Sequence, residues 1–391
     1  MARLGDIATV ITKGTTPTSI GFAFENDGIN FVKIESVDEN GNFICEKFDH
    51  ISDECHEKLK RSQLQENDIL FSIAGAIGRT AIVTKDILPA NTNQALAIIR
   101  IPQGAINYSF LLYILQSSVV LEQAEKKKQG VAQLNLSLKD IGDFIIPDIP
   151  LEEQQCIVDS LDKVSNLISL RKRQLSKLDE LVKSRFIELF GDIKTGNYKF
   201  ETRKLGEVAE VGSSHRVFTT EFVEEGVPFY RGTEIGELAN GLKPENPYRI
   251  TKEHYDRLAC DETKPKLGDL LMPSICNKGQ VWMVDTDEPF YYKDGRVLCI
   301  SPNRKLFNCK YLEQFMREKT LVEYPKLGSG STFAEFKIFL LKDIEVLIPP
   351  IELQDQFAAF VEQTDKSKLV IQKSLEKLET LKKALMQKYF G

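Results

Sequence analysis

The sequence predicts an α+β protein: two homologous mixed α/β domains and two long helices that pair as an antiparallel coiled coil. Three observations predict it. The chain is written twice with a period of about 200 residues, a proline motif closes each globular copy, and a seven-residue apolar spacing follows each motif. The segments are 1–150, 151–191, 192–350 and 351–391, related as a pseudo-two-fold internal repeat.

Each copy opens alike, with Arg3-Leu4-Gly5-Asp6-Ile7-Ala8 against Lys204-Leu205-Gly206-Glu207-Val208-Ala209. Glu66-Asn67-Asp68-Ile69-Leu70 is answered by Leu267-Gly268-Asp269-Leu270-Leu271, and Leu138-Lys139-Asp140-Ile141 by Leu341-Lys342-Asp343-Ile344. The junctions Ile146–Gln154 and Ile348–Gln356 share an Ile-Pro-x-x-x-Leu-x-x-Gln pattern, and the copies end on Phe190-Gly191 and Phe390-Gly391. Landmarks in one order, at offsets of 200 to 203, mark duplicated domains.

Within the globular parts, apolar runs of strand length such as Ile69–Ile73 and Leu96–Ile101 are bounded by Asn, Gly, Asp and Pro. Helical patches are predicted over Phe110–Gln123 and Cys309–Lys319. Leu151–Phe190 and Ile351–Phe390 have no interior Gly or Pro. A helix of ~38 residues is ~57 Å long. Leu161, Ile168, Leu175, Val182 and Leu189 repeat by seven, with Val164, Leu178 and Leu181 broadening the stripe. Ile371, Leu378 and Leu385 do the same, flanked by Leu375 and Leu381. Such heptads indicate a coiled coil. Each helix packing only on its own domain is the simpler alternative. Two similar seams in one chain favour mutual pairing, and the domain between them favours the antiparallel direction.

The chain has 391 residues, 42% of them hydrophobic, which excludes a disordered chain. No stretch approaches the ~20 apolar residues of a membrane span, and the start has no signal-peptide character, so a cytoplasmic protein without membrane contact is expected. Seven cysteines without a CxxC pair argue against structural zinc and read as buried free thiols.

Catalytic signatures are missing. Gly75-Ala76-Ile77-Gly78-Arg79-Thr80 lacks the spacing and the Lys of a phosphate loop and reads as a Gly-rich turn between strands. Asn246-Pro247-Tyr248 lacks the second Pro of the amino-methyltransferase motif and reads as a turn. The sequence contains no nucleophile elbow, zincin motif or dinucleotide fingerprint. His50, His56, His215 and His254 are scattered and read as exposed surface residues. Asp68 and Asp269 each precede a strand and read as turn caps. The chain reads as non-catalytic and metal-free.

Polar and basic residues in Gly-rich segments are more informative. In copy one they are Lys13, Thr15, Thr16, Lys33, Arg79, Asn93 and Gln94; in copy two, Arg216, Arg231, Lys278, Arg296 and Ser331. Arg and Lys suit guanine edges, Asn and Gln adenine, and Ser and Thr phosphate. Singly, each also fits an ordinary surface loop; recurrence in matching places raises the functional reading. Replacing Arg79 or Arg231 by Ala is expected to cost about 1–3 kcal/mol if either makes a bidentate base contact.

This pattern resembles the specificity subunits of type I restriction-modification systems, over the whole chain. The proline junctions, the Leu-Gly-Asp/Glu openings, Lys13-Gly14-Thr15-Thr16-Pro17, the Gly75–Arg79 loop, Asn93-Gln94 and Gly328–Thr332 carry the resemblance. Copy two departs from it with Ser213-Ser214-His215-Arg216, and copy one with Gln129-Gly130-Val131-Ala132. The resemblance implies two target recognition domains, each reading one half of a split site in double-stranded DNA, with the helices fixing the spacer. It also implies two methyltransferase (modification) subunits and motor-nuclease (restriction) subunits as partners. Methyl donor, ATP and Mg would belong to those partners, with no cofactor on this chain. A coiled-coil scaffold that binds proteins only, and a diverged methyltransferase or nuclease, remain as alternatives.

Charge refines the expectation. Lys+Arg number 51 against 57 Asp+Glu, a formal net charge of −6, and neither globular part is a basic coat. A weakly charged reader has little sequence-independent grip on phosphates, so feeble DNA binding is expected from the isolated chain, with affinity emerging on assembly.

Overall fold

The computed structural model describes residues 1–127, 135–259, 263–327 and 334–391. Packing divides it into two compact units, residues 1–172 with 373–391, and residues 173–372.

The first globular part runs β1 (Ala2–Arg3), α1 (Leu4–Ile7), β2 (Val10–Lys13), β3 (Ile29–Val32), β4 (Asp49–Ile51), α2 (Asp53–Lys58), β5 (Ile69–Ser72), β6 (Thr80–Ile82), β7 (Ala90–Thr92), β8 (Leu96–Arg100), α3 (Tyr108–Leu115), α4 (Ser118–Lys127), α5 (Leu138–Gly142) and β9 (Ile145–Ile146). A four-stranded antiparallel sheet has the order β2-β8-β5-β6, and a three-stranded sheet the order β4-β3-β7, with β3 and β7 parallel. The central strand β5 is buried along its whole length, because both faces of its sheet are covered. Ile69 and Phe71 face a core shared with Phe110 and Ile114, whereas Leu70 faces one shared with Val32 and Val83. The helical patch predicted over Phe110–Gln123 is two helices. Ser117 Oγ donates to the Ile114 carbonyl (2.6 Å) and Gln116 Nε2 to Thr80 Oγ1 (2.8 Å), at the break between α3 and α4.

Helix α6 (Leu151–Phe190) follows. The second globular part then runs β10 (Gly191–Asp192), β11 (Asn197–Tyr198), β12 (Thr202–Lys204), α7 (Leu205–Val208), β13 (Ala209–Gly212), β14 (Val227–Tyr230), α8 (Gly232–Ala239), β15 (Tyr248–Ile250), α9 (Lys252–Leu258), β16 (Leu270–Pro273), β17 (Trp282–Met283), β18 (Tyr291–Tyr292), β19 (Val297–Pro302), α10 (Cys309–Glu323), α11 (Ile338–Lys342) and β20 (Glu345–Leu347), before helix α12 (Ile351–Phe390). The sheet orders repeat as β13-β19-β16-β17 and β15-β14-β18, with β14 and β18 parallel. Alternation repeats too: Leu270 and Met272 face one core, Leu271 another.

The junctions explain their own glutamines. Gln154, 4% exposed, donates to the Ile149 carbonyl (2.7 Å) and accepts from the Asn107 N–H (2.8 Å). Gln354, fully buried, donates to the Pro349 (2.8 Å) and Leu306 (2.9 Å) carbonyls and accepts from the Asn308 N–H (2.9 Å). Asn107 and Asn308 cap α3 and α10, so each glutamine fastens the start of a long helix to the cap of a domain helix. This corrects the register of the second junction. Gln354, not the exposed Gln356, is the counterpart of Gln154, and Pro350-Ile351 answers Pro150-Leu151. The double Pro349-Pro350 is what shifts the sequence match by two.

The long helices pair antiparallel within each unit. In the first, Ile157, Val158 and Leu161 near the start of α6 share a core with Leu385, Met386 and Phe390 at the end of α12. In the second, Val182, Phe186 and Phe190 at the end of α6 meet Phe357 and Val361 at the start of α12. Ile168, Leu175, Leu178, Ile371, Leu375 and Leu378 are half-buried on the inward stripe of their helices. Leu181 and Leu381, expected to broaden the seam, are instead 48% and 46% exposed. Each lies one residue before a seam position, about 100° around the helix. The helix ends also enter the globular cores: Phe390 lies 5.5 Å from Phe110, and Phe190 lies 4.9 Å from Tyr311.

Candidate nucleic-acid interface

Strand register makes the two globular parts comparable position by position. In β3 and β7, Phe31 lies beside Asn91 and Val32 beside Thr92; in β14 and β18, Phe229 lies beside Tyr291 and Tyr230 beside Tyr292. Lys33 therefore corresponds to Arg231, and Asn93 to Lys293, just past the carboxyl ends of two parallel strands. Thr12 pairs Ile98 and Gly212 pairs Cys299, so the segments 13–16 and 213–216 also correspond.

In the first cluster, Lys13, Thr15, Thr16, Lys33, Asn93 and Gln94 come together. The Thr15 N–H donates to the Thr92 carbonyl (3.2 Å), the Thr16 hydroxyl is bonded to Gln94, and Asn93 Oδ1 accepts from the Ala95 N–H (3.0 Å). Gly14 permits this approach, since a Cβ there would stand 1.8 Å from the Thr92 carbonyl oxygen. Lys33 is ion-paired with Asp49, and its ammonium sits 4.8 Å from the centre of the Phe24 ring. Arg79 joins the same neighbourhood by donating from Nη1 to the carbonyls of Ile34 (3.3 Å) and Val37 (3.0 Å), thereby holding the turn after Lys33.

The second cluster is built on the same backbone with different side chains. Ser214 Oγ donates to the Tyr292 carbonyl (2.6 Å), and the Lys293 N–H donates to the Tyr230 carbonyl (2.9 Å). The Arg231 guanidinium lies 4.5 Å from the Tyr248 ring centre and donates from Nε (3.2 Å) and Nη2 (2.6 Å) to Glu234, whose side chain is 7% exposed. Burial pushes the Glu234 carboxyl up, but the Arg231 bonds prevail and hold it below the usual range. Arg296 pairs with Glu335 (2.7 Å). Exposed Arg216 lies 5.4 Å from the Phe218 ring, and exposed Lys278 sits in the loop that follows β16. Ser331 and the Gly328–Thr332 and Gln129–Ala132 segments fall outside the described residues.

Asp49, Phe24, Glu234 and Glu335 are not singled out by the sequence, and Tyr248, read there as part of a turn, opens strand β15 instead. The spacing Arg231-x-x-Glu234 at the start of a helix was the one available signal, because a Glu three residues into a helix reaches back to the residue that precedes it. Asp68 and Asp269 do cap turns, accepting from the N–H groups of Gln65 (2.8 Å) and Lys266 (2.9 Å). The exposed-histidine reading fails for His254, which is 9% exposed, and His56 is half-buried against Asn91. The thiol reading holds for Cys55, Cys276 and Cys299, but Cys45 and Cys156 are exposed. No group of metal-ligating side chains occurs among the described residues.

A profile of the type I restriction modification DNA specificity domain matches residues 1–180 and again 197–380. The chain belongs to that family. It is 31% identical over 185 residues to the type I restriction enzyme EcoBI specificity subunit of Escherichia coli, a match covering 46% of this chain and 38% of that subunit. It is 26% identical to the putative type I restriction enzyme MjaX specificity subunit of Methanocaldococcus jannaschii, over 98% of this chain and 91% of that one. Among solved structures, an S subunit from M. genitalium superposes with a TM-score of 0.53 at 14% identity, covering 100% of this chain and 95% of that one. A chain from a structure on assembly and conformational transition of the type I R-M system gives 0.58 at 19%, covering 100% and 96%. These last two likenesses concern fold. As a specificity-family member, the protein recognises DNA target sequences, and each profile match spans one globular part and much of a long helix.

Proposed function

We propose that this chain is the sequence-reading member of a type I restriction-modification complex. Each globular part reads one half of a split, asymmetric site in double-stranded DNA, and the paired helices set the spacer. The observation that carries this is the recurrence of one backbone frame with different polar side chains at the same strand ends. Duplicated frames with divergent side chains suit two half-sites of unlike sequence. The chain is non-catalytic in this reading. Two methyltransferase subunits and motor-nuclease subunits supply the chemistry, with methyl donor, ATP and Mg bound by them. No helix among the described residues is long and apolar enough to cross a membrane, in keeping with a cytoplasmic role in a prokaryote.

Methylation mapping by single-molecule sequencing, in a host carrying the partner subunits, tests the proposal. The expected result is a two-part motif with a fixed spacer, of which exchange of residues 1–150 alters one half. A motif that survives the exchange unchanged overturns it. One extra turn in each long helix should lengthen the spacer and leave both half-sites alone. The purified chain should yield no methylated or cleaved DNA with methyl donor or Mg²⁺, and should bind DNA weakly at physiological salt.

A further inference from the structure

Arg231 and Glu234 carry more than general membership of a DNA-facing surface. Glu234 is 5% exposed as a residue, on the first turn of α8, and its Oε2 also accepts the Arg231 backbone N–H (2.8 Å). The guanidinium is thus fixed from one edge by Nε and Nη2, and from its face by Tyr248, itself stacked on Phe222 at 4.6 Å. A guanidinium has five N–H donors, and this arrangement occupies two of them. The end formed by Nη1 and Nη2 keeps a parallel pair of N–H groups, and Arg231 remains 44% exposed.

Two parallel donors at that spacing match the O6 and N7 acceptors of guanine in the major groove. They match a phosphate equally in shape, but charge separates the two. Arg231 with Glu234 is a neutral pair, so its attraction for a phosphate is weak, while its oriented donors still serve a neutral acceptor edge. Lys33, at the matching position of the first part, is a point charge without a fork.

We propose that Arg231 reads a guanine in the half-site of the second globular part, and that Glu234 is the positioning residue that aims it. The proposal rests on the DNA-reading function above.

The test uses the complete methylase with a DNA library randomised over both half-sites, read by methylation sequencing. For the unaltered protein, one position of the second half-site should demand guanine. Arg231→Lys should lower that preference roughly 5- to 150-fold, the range of one bidentate pair, while every other position keeps its preference. Glu234→Gln should lower it at the same position by less. The first half-site serves as an internal control for folding and assembly. A uniform loss at all positions, an unchanged preference, or a second half-site without an invariant guanine each overturns the assignment and leaves DNA recognition standing. Absence of any sequence preference in the unaltered complex overturns both.

Discussion

Lys33 and Arg231 occupy one place in two copies of one backbone, yet they do different chemistry. Lys33 is tied to Asp49 on a neighbouring strand and covers Phe24; Arg231 is tied to Glu234 on the following helix and covers Tyr248. The junctions show the opposite behaviour, since Gln154 and Gln354 make matching bonds to matching backbone groups. The contrast teaches where the molecule tolerates change. Groups that satisfy buried backbone partners are repeated, because an orphaned buried donor or acceptor costs about 1–3 kcal/mol. Groups at the strand ends are partly exposed, and what persists there is a pattern rather than a residue: a cation paired with an acid and set over a ring.

The helix contacts should give the largest difference between the copies. Phe357 is fully buried within 5.5 Å of the Phe186 and Phe190 rings, while its counterpart Ile157 is 5% exposed. Urea unfolding should show Phe357→Ala losing about 3–5 kcal/mol and Ile157→Ala nearer 2 kcal/mol. Equal losses would break the ranking. Next come the glutamines. Gln354→Ala should cost about 3 kcal/mol and Gln154→Ala about 2 kcal/mol, because the former leaves one more buried carbonyl unpaired. Gln356→Ala should fall within about 0.5 kcal/mol of the parent; a large loss there would restore the other register.

Smaller effects sharpen the turns and the reader. Asp68 forms a two-pronged pair with Arg100 (2.7 Å on both prongs), whereas Asp269 holds half-exposed Arg304 by one bond of 3.0 Å. Asp68→Ala should therefore destabilise more than Asp269→Ala, by about 1 kcal/mol in thermal or urea unfolding. Acid titration should give the smallest signal. Glu234 has a folded-state pKa below its unfolded value, so its contribution is present above about pH 4.3 and is lost as pH falls through the folded value. With Arg231 partly in water, less than about 1 kcal/mol is at stake, and Glu234→Gln should remove that acid-dependent part.

Much of this was legible in the sequence because it follows from period and composition. The repeat, the long helices, the Leu161 to Val182 seam and the capping role of Asp68 all rest on local patterns. Leu181 and Leu381 misled because an apolar residue beside a heptad position is indistinguishable from one on it until the helix is placed. Pairing of β3 with β7 was not legible, since strands of four and three residues far apart in sequence carry no signal of their partners. Lys33 and Arg231 could be picked as candidates from their settings. That they are equivalent, and that each is held by an acid and a ring, needed the register.

The exchange of helix ends has a consequence for how the protein is made. Residues 173–372 form one unbroken unit, which has all its contacts once that stretch has left the ribosome. The first unit begins earlier and finishes later, because residues 373–391 complete it and Phe390 fills its core beside Phe110. Synthesis order and completion order are therefore inverted. The domain translated first waits, with an open seam, for a segment translated after the whole of the second. Ribosome pausing or a premature stop in the last half of α12, beyond residue 372, would accordingly harm the first domain while sparing the second.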